Sequence, residues 1–122
     1  MKFIDNTKKA TVDAIKQWKN YSGRVSREEF WYAHLGMCTC IFVAMGLELI
    51  GFDDLAAFLG LSMIFLFTPI TIALIVRRFH DMSRTGWLAI LPLSIPIPFY
   101  FWLIVDGTAG DNDYGPDPKI KE

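Results

Sequence analysis

Long apolar runs alternate with short charged stretches along this chain, and their spacing predicts a small all-α integral membrane protein. Between residues 3 and 20 the side chains Phe3, Ile4, Ala10, Val12, Ala14, Ile15 and Trp18 recur mostly every three or four positions, with Lys8, Lys9, Lys16 and Lys19 among them. That period predicts an amphipathic helix, and a basic one preceding a membrane span is expected to lie in the headgroup layer. Tyr21, Ser22 and Gly23 break it. Ser26 followed three residues later by Glu29 is a capping-box signature, so a new helix is expected there, with the apolar run 30–50 as the first span.

Gly51, Phe52, Asp53 and Asp54 make a short acidic turn, after which 55–76 carries no charge and is the clearest spanning signal in the chain. Pro69 lies inside it, and the hydroxyls of Thr68 and Thr71 are expected to satisfy a carbonyl that the proline frees. A polar basic connection, 77–86, leads to a third apolar segment, 87–105, interrupted by Pro92, Pro96 and Pro98. Such a segment either crosses as a broken helix or re-enters as a hairpin, and crossing is the favoured expectation. Residues 106–122 form a polar tail rich in Gly, Asp, Asn and Pro. The whole is a single membrane domain, 1–122, of about three transmembrane helices preceded by the amphipathic one.

Composition agrees with that class: 52% of residues are hydrophobic and the mean hydropathy is +0.30. The net charge of −1 argues against nucleic acid, which a basic excess would neutralise. No long apolar stretch opens the chain, so no cleavable signal peptide is expected. The two cysteines, Cys38 and Cys40, lie two apart in an apolar run and point to opposite helix faces, which suits packing rather than chelation. Lys and Arg number seven before the first span, none between the first and second, three in 77–86 and two in the tail. By the positive-inside rule the N-terminus and the 77–86 connection are expected in the cytoplasm.

The densest chemistry is Arg77, Arg78, His80, Asp81 and Arg84, which join Arg24 and Arg27 at the membrane boundary. Arg77 and Asp81, four apart, are expected to pair if the helix continues. Arg78 and Arg84 would then remain to contact phosphate oxygens of anionic lipid or an acidic partner. On the first span His34, Cys38, Met45 and Glu48 share one semi-polar face, with His34 and Glu48 expected to snorkel toward the two interfaces. Gly36, Cys40 and Ala44 form a small-residue stripe suited to close helix approach. In the tail, Asp111, Asp113 and Glu122 stand at the first, third and twelfth positions of a calcium loop, but Gly115 and Pro116 stand where a ligand and the required glycine belong. No metal and no cofactor is expected.

Three stretches in order carry a family resemblance: Gly23 to Trp31 (GRVSREEFW), Arg77 to Asp81 (RRFHD) with Arg84 to Trp87 (RTGW), and Gly107-Thr108 through Gly110, Asn112, Tyr114, Gly115, Pro116, Asp117 and Pro118. With them the chain resembles the domain of unknown function 805 family, small bacterial inner-membrane proteins. Thr85 stands where a serine is usual, and Asp113 adds an acid. The resemblance implies the bacterial cytoplasmic membrane and brings no catalytic residue with it. The leading expectation is a non-enzymatic lipid- or protein-interaction module built on the Arg24, Arg27, Arg77, Arg78, His80, Asp81, Arg84 cluster. Its expected partners are the bilayer and anionic lipids, with a homo-oligomer or a membrane protein also considered. One alternative is a subunit of a small oligomeric transporter or channel lined by His34 and Glu48, and another is an enzyme on lipid-linked substrates using His80 and Asp81.

Overall fold

The computed structural model describes residues 1–121, and among them the regular structure is helical apart from one isolated bridge between Asn112 and Gly115. Three long helices come first: α1 Lys2–Lys16, α2 Arg27–Leu49 and α3 Asp53–Asp81. Ser26 caps α2 as its sequence predicts. Its hydroxyl accepts from the Glu29 amide at 3.2 Å, while the Glu29 carboxylate takes the Ser26 amide at 3.2 Å. Two orphan donors of the first turn are thereby satisfied.

α2 and α3 are joined by the tight turn Ile50–Phe52, in which Gly51 adopts φ +94, a left-handed conformation that glycine takes without a Cβ penalty. Both helices are long and apolar enough to cross a membrane. At 29 residues α3 extends about 43 Å, whereas a hydrocarbon core is about 30 Å thick. Its C-terminal turns, Arg77 to Asp81, therefore overrun the 55–76 span. Pro69 sits within α3, but Thr68 donates to the carbonyl of Ile64, its own fourth neighbour back, at 2.6 Å. The carbonyl that the proline frees is that of Phe65, so the expected Thr68 compensation is not made.

The core lies at one end of this pair. Phe30, Ala33 and Met37 of α2 meet Ile70, Leu74, Ile75 and Phe79 of α3, closed by Val25, Ala89 and Leu103. Away from that end Phe42, Val43, Phe58, Leu61 and Phe65 are exposed, Phe65 by 80%. Apolar side chains lying bare along two adjacent helices call for acyl chains as their solvent.

The third apolar segment does not form a crossing helix. It comprises a 3-10 turn, Gly86–Ala89, then two short helices, α4 Ile90–Ser94 and α5 Pro96–Trp102, with the break at Ile95 (φ −130, ψ 81). Pro96 has no amide hydrogen to continue α4 and instead opens α5. Both ends of the segment lie at the same end of α3. A Cβ on Gly86 would come within 2.7 Å of Val76 Cγ1, and the Leu103 carbonyl accepts from Arg78 Nε at 3.1 Å. Between them, Leu93 reaches a groove shared with Thr68 and Thr71, and Tyr100 packs against Trp31 and His34 of α2. The favoured crossing is thus corrected: the prolines turn the chain back toward its point of departure.

α1 packs on α2 and touches α3. Gly36 permits a close approach, since a Cβ there would overlap the Thr11 side chain. Ala14 is buried, while Phe3, Ile4, Val12, Ile15 and Trp18 remain exposed.

Candidate functional site

The three polar stretches meet around the C-terminal end of α3. That helix ends in a Schellman arrangement: the Ser83 amide donates to His80 O at 3.0 Å and the Arg84 amide to Phe79 O at 2.8 Å. Ser83 holds φ 56 to close it. The stop releases the chain at Arg84 and leaves the last helical turn to receive partners from elsewhere.

Asp81 is the centre of the cluster. Its Oδ1 accepts from Arg24 Nε at 3.0 Å and from Arg24 Nη2 at 2.9 Å, and its Oδ2 is bound by Arg78 Nη1. Arg24 spends its remaining donors on backbone carbonyls of the tail: Nη1 on Gly110 at 2.7 Å and Gly115 at 3.3 Å, Nη2 on Thr108 at 2.6 Å. Arg78 serves the hairpin in the same way. Its Nε binds Leu103 O, Nη1 reaches Val25 O at 3.5 Å, and Nη2 donates to the Val105 carbonyl. Arg78 is fully buried, and its guanidinium, like that of Arg24, is occupied by the fold. These are charge-assisted bonds in a buried setting, the strong kind.

Two expectations are corrected here. Asp81 pairs with Arg24 and Arg78, not with Arg77, and Arg78 is not available to a headgroup. Arg77 turns the other way, toward α1, where Nη1 donates to Gln17 Oε1 at 2.8 Å and Nε to Ala73 O at 3.4 Å. An i, i+4 pair on an extended helix is geometrically allowed, but Arg78 stands three positions before Asp81 and Arg24 arrives from 57 positions away. Together they saturate the carboxylate.

The tail is built onto this centre. Thr108 donates both its amide and its hydroxyl to Asp81 O, at 2.8 and 2.9 Å, and Asn112 Nδ2 donates to His80 O at 3.0 Å. Asn112 Oδ1 accepts the Tyr114 amide at 2.9 Å, which folds 112–115 into a turn closed by mutual bonds between Asn112 and Gly115. Tyr114 is thereby laid flat on the His80 ring, centroids 4.1 Å apart and planes at 6°. His80 Nδ1 contacts the Gly23 carbonyl at 3.1 Å. Gly107 allows the approach, since a Cβ there would meet the Asp81 backbone oxygen at 2.8 Å.

Asp117 Oδ1 receives the Lys119 amide at 3.0 Å, and Oδ2 the Gly110 amide at 2.9 Å; these bonds, in that order, hold its carboxyl below the usual range. Asp106 is likewise lowered, first by the Lys119 bond at 3.1 Å and then by Arg27. Arg27 pairs with it at 3.5 Å from a partly exposed position. Arg84 is exposed, its guanidinium 5.9 Å from the Trp102 ring centroid, and Trp87 beside it is 80% exposed. Pro116 lies exposed at the tail's outer edge.

The semi-polar face of α2 does not act as a unit. His34 packs between Phe30 and Tyr100, with Nδ1 on its own Phe30 carbonyl at 3.0 Å, so it faces the hairpin and does not snorkel. Glu48 is exposed near the opposite end, about 21 Å away along the helix. Among the described residues no group of three or more His, Cys, Asp or Glu is placed to hold a metal.

The polar cluster is assembled from residues that fall in one block of sequence similarity. Residues 18–116 match the family described as protein of unknown function (DUF805). The chain belongs to this family. Inner membrane protein YhaI of Escherichia coli (strain K12) is 34% identical over 89% of this chain and 94% of that protein. Inner membrane protein YhaH of the same organism is 35% identical over 90% of this chain and 96% of its own length. No solved structure matches. The matched block starts near the end of α1 and ends one residue before Asp117, so it covers the Arg24, Asp81 and Thr108 junction whole.

Proposed function

We propose that this chain is a non-enzymatic module of the bacterial inner membrane that presents a basic, aromatic platform to anionic lipid headgroups on the cytoplasmic side. One observation carries the reading: the three polar motifs converge on Asp81, so the N-terminal region, the 77–86 connection and the tail share one end of the bundle. With two spans and a re-entrant hairpin, every one of the twelve Lys and Arg falls on that side, and Asp53 and Asp54 fall on the other. So lopsided a distribution supports a cytoplasmic N-terminus and a cytoplasmic tail.

Within the cluster the work is divided. Arg24, Arg78 and Asp81 lock the hairpin and tail, while His80, Asn112, Tyr114, Gly115 and Asp117 shape the tail. Arg84 is exposed at the rim and Arg27 is partly exposed, held by Asp106 at 3.5 Å, while Trp87 lies exposed three positions after Arg84; such guanidiniums can take a phosphate and such an indole can sit at headgroup depth.

The test is lipid analysis. Protein extracted and purified from membranes is compared, by mass spectrometry of its copurified lipid, with Arg84→Ala and with the Arg27→Ala, Arg84→Ala pair. Loss of the anionic fraction is expected, most completely in the pair; an unaltered anionic fraction in both defeats the proposal.

A further inference from the structure

Outside the polar cluster, α1 and α2 leave between them, around their Thr11–Gly36 contact, an open groove of about 610 Å³. Phe3, Ile4, Val12 and Leu35 line it, and its one charged lining residue is Lys8. Three threonines also face it, yet each turns its hydroxyl onto a carbonyl four residues back on its own helix: Thr7 to Phe3 at 2.9 Å, Thr11 to Thr7 at 2.7 Å, Thr39 to Leu35 at 2.8 Å. The groove is thereby presented as methyl and methylene surface. Water has almost nothing to bond to along it, and Lys8 carries its ammonium without an ion pair among the described residues. The helix around it is basic, with five lysines against two aspartates in residues 1–20.

We infer that this groove holds one anionic phospholipid, an acyl chain lying between α1 and α2 and its phosphate on Lys8. The inference rests on the membrane reading proposed above and adds a second, separate lipid site. Its logic is complementarity at both ends: an apolar trough with no internal polar demand takes a hydrocarbon chain, and an unpaired cation at the rim takes a headgroup oxygen.

The experiment is native mass spectrometry of the full chain in detergent after incubation with an equimolar mixture of phosphatidylglycerol and phosphatidylethanolamine, with palmitate as a competitor. In the Arg27→Ala, Arg84→Ala background, which removes the platform, one phosphatidylglycerol per chain is expected to survive detergent washing, and adding Thr39→Trp, which fills the trough from an exposed position, should cut that retention at least fivefold. Thr39→Val keeps the methyl surface and should leave it unchanged. Lys8→Glu should abolish the preference for phosphatidylglycerol over phosphatidylethanolamine. Equal retention with and without Thr39→Trp in that background overturns the inference, as does an unaltered preference on adding Lys8→Glu or full displacement by equimolar palmitate. Arg84→Ala run alongside separates the two sites: if it depletes anionic lipid while Thr39→Trp does not, the groove fails and the platform stands.

Discussion

Replacing Asp81 by asparagine keeps the shape of the junction and removes its charge. Arg24 and Arg78 would then remain buried, their side chains at 1% and 0% exposure, around a neutral amide whose oxygen accepts and whose nitrogen opposes a guanidinium. Breaking a buried ion pair from one side costs about 3–5 kcal/mol, mainly because the surviving charge is uncompensated. At about 4 °C per kcal/mol for a chain of this size, the melting midpoint should fall by about 12–20 °C. The measurement is thermal unfolding of purified protein in detergent or nanodiscs, followed by tryptophan fluorescence. Arg24→Gln should cost a similar amount, and the double variant much less than the sum, because both changes dismantle one network. A midpoint within about 3 °C of wild type for Asp81→Asn would refute the claim that this carboxylate holds the fold together.

Gly107→Ala should destabilise the tail, since its Cβ has no room beside the Asp81 backbone oxygen; the check is faster proteolytic removal of residues beyond 107. Ser26→Ala loses the capping box at the start of α2 and should lower stability by about 1 kcal/mol in the same unfolding assay. The depressed Asp117 carboxyl gives the tail a pH dependence. Its contribution is present above the unfolded-state value near 4 and is lost as pH falls through the lower folded-state value, so protease resistance of the tail should drop on acidification and Asp117→Asn should flatten that drop. A cysteine engineered at position 112 in a Cys-free background should react with an impermeant thiol reagent from the same side as one at position 20, and labelling from opposite sides would exclude the hairpin.

Local features of this chain are legible before any coordinates. Ser26 and Glu29 announce the start of α2, the uncharged run 55–76 announces α3, and the three- and four-residue apolar spacing announces α1, because each depends on neighbours within one or two helical turns. The residues of the polar junction are legible too, as a set, but their pairings are not. Reading along the helix favours Arg77 with Asp81, while the fold joins Asp81 to Arg24 across 57 positions and draws in Thr108 across 27. Only a topology that returns the chain makes those contacts available, and that topology turns on whether Pro92, Pro96 and Pro98 bend a crossing helix or reverse it. The Thr68 bond teaches the same lesson on a smaller scale: the hydroxyl chose Ile64, although composition alone placed it beside the carbonyl that Pro69 frees.

The turn Ile50–Phe52 carries a consequence for how such a chain enters its membrane. In the proposed topology, with a hairpin that returns instead of crossing, the polar matter that must be carried through the hydrocarbon is little more than Glu48, that glycine-centred bend and the two aspartates after it. On that proposal, a pair of helices that threads so small a cargo would be inserted as one folded-over unit, with its charged cap assembling afterwards on the side where it was made.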